Sequence, residues 1–177
     1  MNTISNVITT GYVFTSNGDR AVSAVNQDIT TYAGWKASYR PRGIFFDEAA
    51  APASAVAQYT GFVNTVRSSF GANSFVTLNP GTAPPTGFFS TGANLIVTFE
   101  NFYSQFSDSS LVISSSAPAS QQVILLHDAP KSTPAAVVQD IVNQGIAALF
   151  ITSTPQAKAY ERIPSDWNNF VQEVASV

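Results

Sequence analysis

The chain has 177 residues, 45% of them hydrophobic and 12% aromatic, enough to build a sizeable core in one domain spanning 1–177; an unfolded chain is excluded. Only 11% of residues are charged and the net charge is -3, so there is no basic footprint for nucleic acid or for an anionic membrane. The absence of cysteine removes disulfide frameworks, thiol nucleophiles and cysteine zinc sites, and no apolar run is long enough to span a membrane.

In chain order, Val7 to Thr15 reads as a strand closed by Ser16-Asn17-Gly18. A helical pattern opens at Asp19, with Val22, Val25, Ile29 and Tyr32 on one face. Gly43 to Phe46 is a bulky run without amphipathic period, suited to a buried strand, and it ends in two adjacent carboxylates, Asp47 and Glu48. Pro52 stands near the start of a second helix, whose face is Val56, Tyr59, Val63, Val66 and Phe70, and Gly71 is a fitting stop. Ser74 to Leu78 forms the next strand, and Asn79 to Pro85 is too rich in Pro and Gly for a regular element. Phe88 and Phe89 fit a brief helical turn.

Leu95 to Phe99 is a strand ending in Glu100. The polar, Ser-rich stretch Ser104 to Ser120 carries no clear element, although Leu111 to Ile113 suits a short buried segment. Val123 to Leu126 is a strand ending in His127-Asp128. Thr133 as cap and Pro134 as first residue then start a helix through Val137, Val138, Ile141 and Val142, closed by Gly145. Ala147 to Thr152 is the last strand, and Ser165 caps a terminal helix carrying Trp167, Phe170, Val171 and Val174. Met1 to Asn6 shows no basic region followed by an apolar block, so this start is not expected to be a signal peptide.

Six strands about 20 to 32 residues apart, most followed by a helix or a helix-sized gap, predict an α/β fold with a parallel sheet. A closed eight-stranded barrel takes about 250 residues, which leaves a barrel short of two βα units or an open doubly wound sheet.

Charge is scarce, and its placement is therefore informative. Of eleven acidic residues, Asp47, Glu48, Glu100 and Asp128 fall at predicted strand carboxyl ends, as does the sole histidine, His127. Strand ends are loops and loops collect polar residues, but carboxylates that directly follow buried aromatic runs are costly to desolvate unless paired or used. Carboxylates from different strands are the apparatus of glycoside hydrolysis, and Asp47, Glu48 and Glu100 can supply such a pair. Side chains alternate along a strand, so Asp47 and Glu48 should diverge, one toward the reacting bond and the other orienting substrate; which is which stays open. Because adjacent residues rarely face one another, His127 and Asp128 are expected to support the site rather than act as base and orienter.

Tyr12, Tyr103 and Trp167 are candidates for stacking on sugar rings, Tyr103 being the best placed, against the ordinary role of aromatics in a core. Asn79 could bond a sugar hydroxyl or simply build the Asn-Pro-Gly turn. One histidine, no cysteine and no D-x-D-x-D loop argue against a metal; there is no G-x-S-x-G elbow, G-x-G-x-x-G or phosphate loop, and no cofactor is expected.

Taken together, G-Y-V-F-T-S-N-G at Gly11 to Gly18, G-I-F-F-D-E at Gly43 to Glu48, L-N-P-G-T-A-P-P at Leu78 to Pro85, I-V-T-F-E at Ile96 to Glu100, H-D-A-P at His127 to Pro130 and P-S-D-W at Pro164 to Trp167 resemble the successive motifs of spherulation-specific family 4. The resemblance runs in the family's order over nearly the whole chain. It implies a TIM-like (β/α) barrel related to fungal glycoside hydrolases that act on galactosaminogalactan, an α-1,4-linked polymer of galactose and N-acetylgalactosamine. The family's acidic residues fall on Asp47, Glu48 and Glu100, with Asn79, Tyr103, Tyr12, His127 and Asp128 left as substrate contacts or support.

A retaining reaction assisted by the substrate's acetamido group, and an extracellular or cell-wall location, are further implications of the resemblance. Family members carry two more βα units before the region that this chain resembles, which implies an incomplete barrel of about six units with an exposed sheet edge open to self-association. Two other readings stand beside this one: a non-catalytic spore or cell-wall carbohydrate-binding or structural protein, and an open-sheet small-ligand protein unrelated to sugars.

Overall fold

The structure, a computed structural model, describes residues 4, 6–132 and 135–177. Its strands are β1 (Thr10–Phe14), β2 (Gly43–Asp47), β3 (Phe75–Leu78), β4 (Leu95–Phe102), β5 (Gln122–His127) and β6 (Ala148–Ile151). Its α-helices are α1 (Val22–Ala33), α2 (Val56–Phe70), α3 (Ala135–Asn143) and α4 (Trp167–Ala175). The strands follow sequence order in one six-stranded sheet, and it does not close, since β1 and β6 end that order. The fold is thus α/β, as the spacing predicts. The chain divides into two compact units, Met1–Ile96 and Val97–Val177.

In the first unit β1, β2 and β3 pair in parallel, with Val13 beside Phe46 and Phe46 beside Leu78. These side chains face the helices, because alternate residues of a strand share a face. Val13, Phe46, Leu78 and Ile96 are buried with Val25 and Ile29 of α1 and with Tyr59, Phe62, Val63 and Val66 of α2. Phe46 and Phe62 stack with centroids 5.7 Å apart. The predicted helix faces hold, except that Val22 is 50% exposed at the start of α1. Gly43 cannot be replaced without moving backbone, for a Cβ there would lie 1.7 Å from the Phe75 carbonyl oxygen.

In the second unit β5 and β6 pair in parallel, Ile124 beside Leu149 and Leu126 beside Ile151. Ile124, Leu126, Val138, Ile141, Ile151 and Phe170 form its core. Trp167 and Val171 are exposed, so α4 buries a narrower face than its pattern predicts. The Thr133–Pro134 start expected for the α3 helix lies outside the described residues. Residues 104–120 contain short 3-10 turns and a bridge between Ser114 and Ala117.

Of the segment Leu111 to Ile113, Leu111 packs against this core and the other two residues do not. Val112 and Ile113 are 52% and 41% exposed, and the stretch is pinned through its backbone instead. The fully buried Gln122 donates its amide to the carbonyls of Val112 and Ala117, both at 2.8 Å, and accepts the Thr98 hydroxyl at 3.0 Å.

Candidate active site

Asp47 is the last residue of β2, and both of its oxygens are engaged. Oδ2 accepts the Tyr12 hydroxyl at 2.8 Å and Oδ1 accepts the Asn79 side-chain amide at 2.8 Å. Asn79 is itself held: its Oδ1 accepts the Gly81 N–H at 2.9 Å, its own N–H donates to Phe46, and its carbonyl accepts the Ala49 N–H. The Asn-Pro-Gly turn and the contact to Asp47 therefore coexist. The Tyr12 phenol is pushed up to about 12, first by desolvation, then by its hydrogen bond to Asp47 and by the charges of Asp47 and Glu48.

Glu48 leaves the strand in the left-handed region, with φ 46. Side chains of ordinary residues crowd the backbone there, so the conformation must be imposed from outside. Thr15, fully buried, directs its hydroxyl at the carbonyls of Asp47 and Glu48, at 3.0 and 2.7 Å, and the Asn17 N–H donates to the Glu48 carbonyl at 2.7 Å. Tyr59 of α2 lies beneath, donating to the Thr15 hydroxyl at 2.8 Å and accepting the Ala50 N–H at 2.8 Å. Burial raises the Tyr59 phenol. The Glu48 side chain is exposed, and among the described residues its carboxylate is met by the Asn17 amide at 3.5 Å.

In the second unit Glu100 lies inside β4, which continues three residues past the predicted Phe99, to Phe102. Its Oε1 accepts the Tyr160 hydroxyl at 2.7 Å. His127 is the final residue of β5 and 1% exposed. Although adjacent residues rarely face one another, Nδ1 of His127 lies 2.9 Å from Asp128 Oδ2. Asp128 adopts φ 56, which swings its carboxylate back onto the ring, and the same oxygen accepts the Gln156 N–H at 2.8 Å. An ionised carboxylate only accepts, so the shared proton sits on Nδ1. His127 Nε2 is buried with no hydrogen-bond partner among the described residues, beside Phe102, whose ring meets the imidazole edge-on at 4.6 Å.

Each unit thus brings together part of the predicted set: Asp47, Tyr12 and Asn79 in the first, His127 and Asp128 in the second. Tyr103 packs against the second core, where burial raises its phenol. Trp167 packs on Phe150 and Phe170. Thr15, Asn17, Tyr59, Phe102 and Tyr160 were not singled out as site residues by sequence reasoning. Thr15 and Asn17 lie within the G-Y-V-F-T-S-N-G motif, which was the available signal; Tyr160 stands 60 residues from Glu100 in no motif. Asp47, Glu48 and Glu100 are met by phenols and amides, and Asp128 by an imidazole and a backbone N–H. The ion pairs among the described residues are Arg20 with Asp28, at 2.6 Å, and His127 with Asp128 when the ring is protonated.

Comparison with known proteins gives three likenesses. The profile of spherulation-specific family 4 matches residues 1–174. Spherulin-4 of Physarum polycephalum is 42% identical over 95 residues, which are 54% of this chain and 28% of that protein, so the match spans less than a third of the relative's length. Aspergillus clavatus Sph3, whose crystal structure is in complex with GalNAc, superposes with a TM-score of 0.81 and 29% identity over 97% of this chain and 73% of that one.

Proposed function

Because this chain belongs to spherulation-specific family 4, we propose that it is a glycoside-hydrolase-like protein acting on an α-1,4-linked polysaccharide that contains galactosamine and N-acetylgalactosamine. The observation that carries this reading is Asp47, a carboxylate at the carboxyl end of a parallel strand with both oxygens held by neutral donors. A carboxylate oriented in this way suits work on a bond. The likeness to Sph3, which binds GalNAc, supports a sugar as the ligand.

In this reading Asp47 or Glu48 and, from the second unit, Glu100 are the catalytic carboxylates. In glycoside hydrolysis one carboxylate protonates the leaving oxygen while another stabilises or attacks the sugar's developing cation. Asn79, Tyr12 and Tyr103 contact substrate or the carboxylates, and His127 with Asp128 supports them. No cofactor enters, and an extracellular or cell-wall setting belongs to the same proposal.

The test is reducing-end release from galactosamine-containing glycan by the purified chain. Release is expected, and Glu100→Gln or Asp47→Asn should lower it by 100-fold or more, in the range typical for loss of a general acid or base, about 10² to 10⁴. Release unaffected by both substitutions would refute the assignment. The second reading is a carbohydrate-binding module without catalysis. Glycan binding without release by the starting chain would select that second reading.

A further inference from the structure

Resting on the glycan-cleaving reading, we infer that Tyr12 is a positioning residue: with Asn79 it fixes Asp47, serving the carboxylate through its hydroxyl rather than a sugar through its ring. An ionised carboxylate offers about four acceptor positions. Two are filled here, one on each oxygen, at 2.8 Å each. The remaining lone pairs therefore point in fixed directions and can receive a hydroxyl or amide hydrogen of the glycan without a reorientation step.

The two clamps have different origins. Asn79 is buried, and its amide cannot be reversed without losing the Gly81 N–H that its oxygen accepts. Tyr12 is 55% exposed and lies on β1, beside Phe45 in the parallel register, two residues before the point where Phe14 meets Asp47. Strand register therefore sets where its hydroxyl stands. Glu48 differs: its backbone is pinned by Thr15 and Asn17, while its side chain meets only the 3.5 Å contact to Asn17 among the described residues. Of two adjacent carboxylates, one is clamped by its side chain and the other by its main chain.

Kinetics on galactosamine/N-acetylgalactosamine oligosaccharides separate the roles. Tyr12→Phe keeps the ring and deletes the hydroxyl, and is expected to lower kcat tenfold or more with KM within twofold. Unchanged kcat, or a raised KM with unchanged kcat, would make Tyr12 a stacking or binding contact and overturn the inference. If the starting chain releases no sugar, the glycan-cleaving reading fails, and a second measurement decides the clamp alone. With ¹³C-labelled tyrosine, the Tyr12 phenol should ionise near pH 12 in the starting chain. In Asp47→Asn its midpoint should fall, and by more than in Glu48→Gln. A midpoint unmoved by Asp47→Asn, or moved as far by Glu48→Gln, overturns the inference.

Discussion

Glu48 and Asp128 share a conformation that side chains other than glycine seldom adopt, with φ 46 and 56. Each directly follows the last residue of a strand, and each carries a carboxylate. At Glu48 the strain is opposed by backbone contacts alone, so Glu48→Gly should raise stability by about 1 kcal/mol, as the left-handed penalty disappears. Urea unfolding would register the gain as a higher midpoint at unchanged slope. Asp128→Gly should show no such gain, because it also deletes the bonds to His127 and to the Gln156 N–H. The carboxylates themselves were legible in the sequence, since an aromatic run ending in acid is conspicuous in a chain with so few charges. Their directions were not. Alternation along an ideal strand makes neighbours diverge, and only the turn that ends the strand decides whether Asp128 folds back on His127.

At the level of elements, the tie between α2 and the strand ends is a hydroxyl relay from Ala50 through Tyr59 to Thr15 and on to the carbonyls of Asp47 and Glu48. Tyr59→Phe preserves the aromatic packing with Phe62 and Phe88 but leaves the buried Ala50 N–H without its acceptor. It should cost roughly 1–3 kcal/mol, measured by thermal or urea unfolding. Helical spacing identifies Tyr59 as a core position, and that much was readable. The function of its oxygen was not, because periodicity reports which face is buried and nothing about the polar atom a buried ring carries. The same limit applies to Glu100. A run of β-formers marks β4, but its end depends on pairing, and the strand continues through Asn101 and Phe102. At Leu111 to Ile113 only Leu111 packs on the core, and Gln122 holds the stretch through the Val112 carbonyl, which apolar composition does not reveal.

For the molecule as a whole, six strands in sequence order and the absence of closure match what the strand spacing and chain length predict. The β1 edge of the first unit is bordered by exposed aromatic side chains, Tyr12, Trp35 and Tyr39. Trp35 and Tyr39 lie 5.9 Å apart. An unpaired strand beside apolar surface recruits other strands. The chain is accordingly expected to associate with rising concentration in sedimentation velocity, and Thr10→Lys, a charge on the exposed face of β1, should weaken that association without lowering the unfolding midpoint by more than about 0.5 kcal/mol in equivalent stability. The partners of the strand-end carboxylates have a further consequence. Tyr12 and Asn79 bear no charge, so among the described residues the bonds that orient the Asp47 side chain contain no ion pair for dissolved salt to screen. A carboxylate aligned by a phenol and an amide keeps its orientation in dilute water and in brine alike.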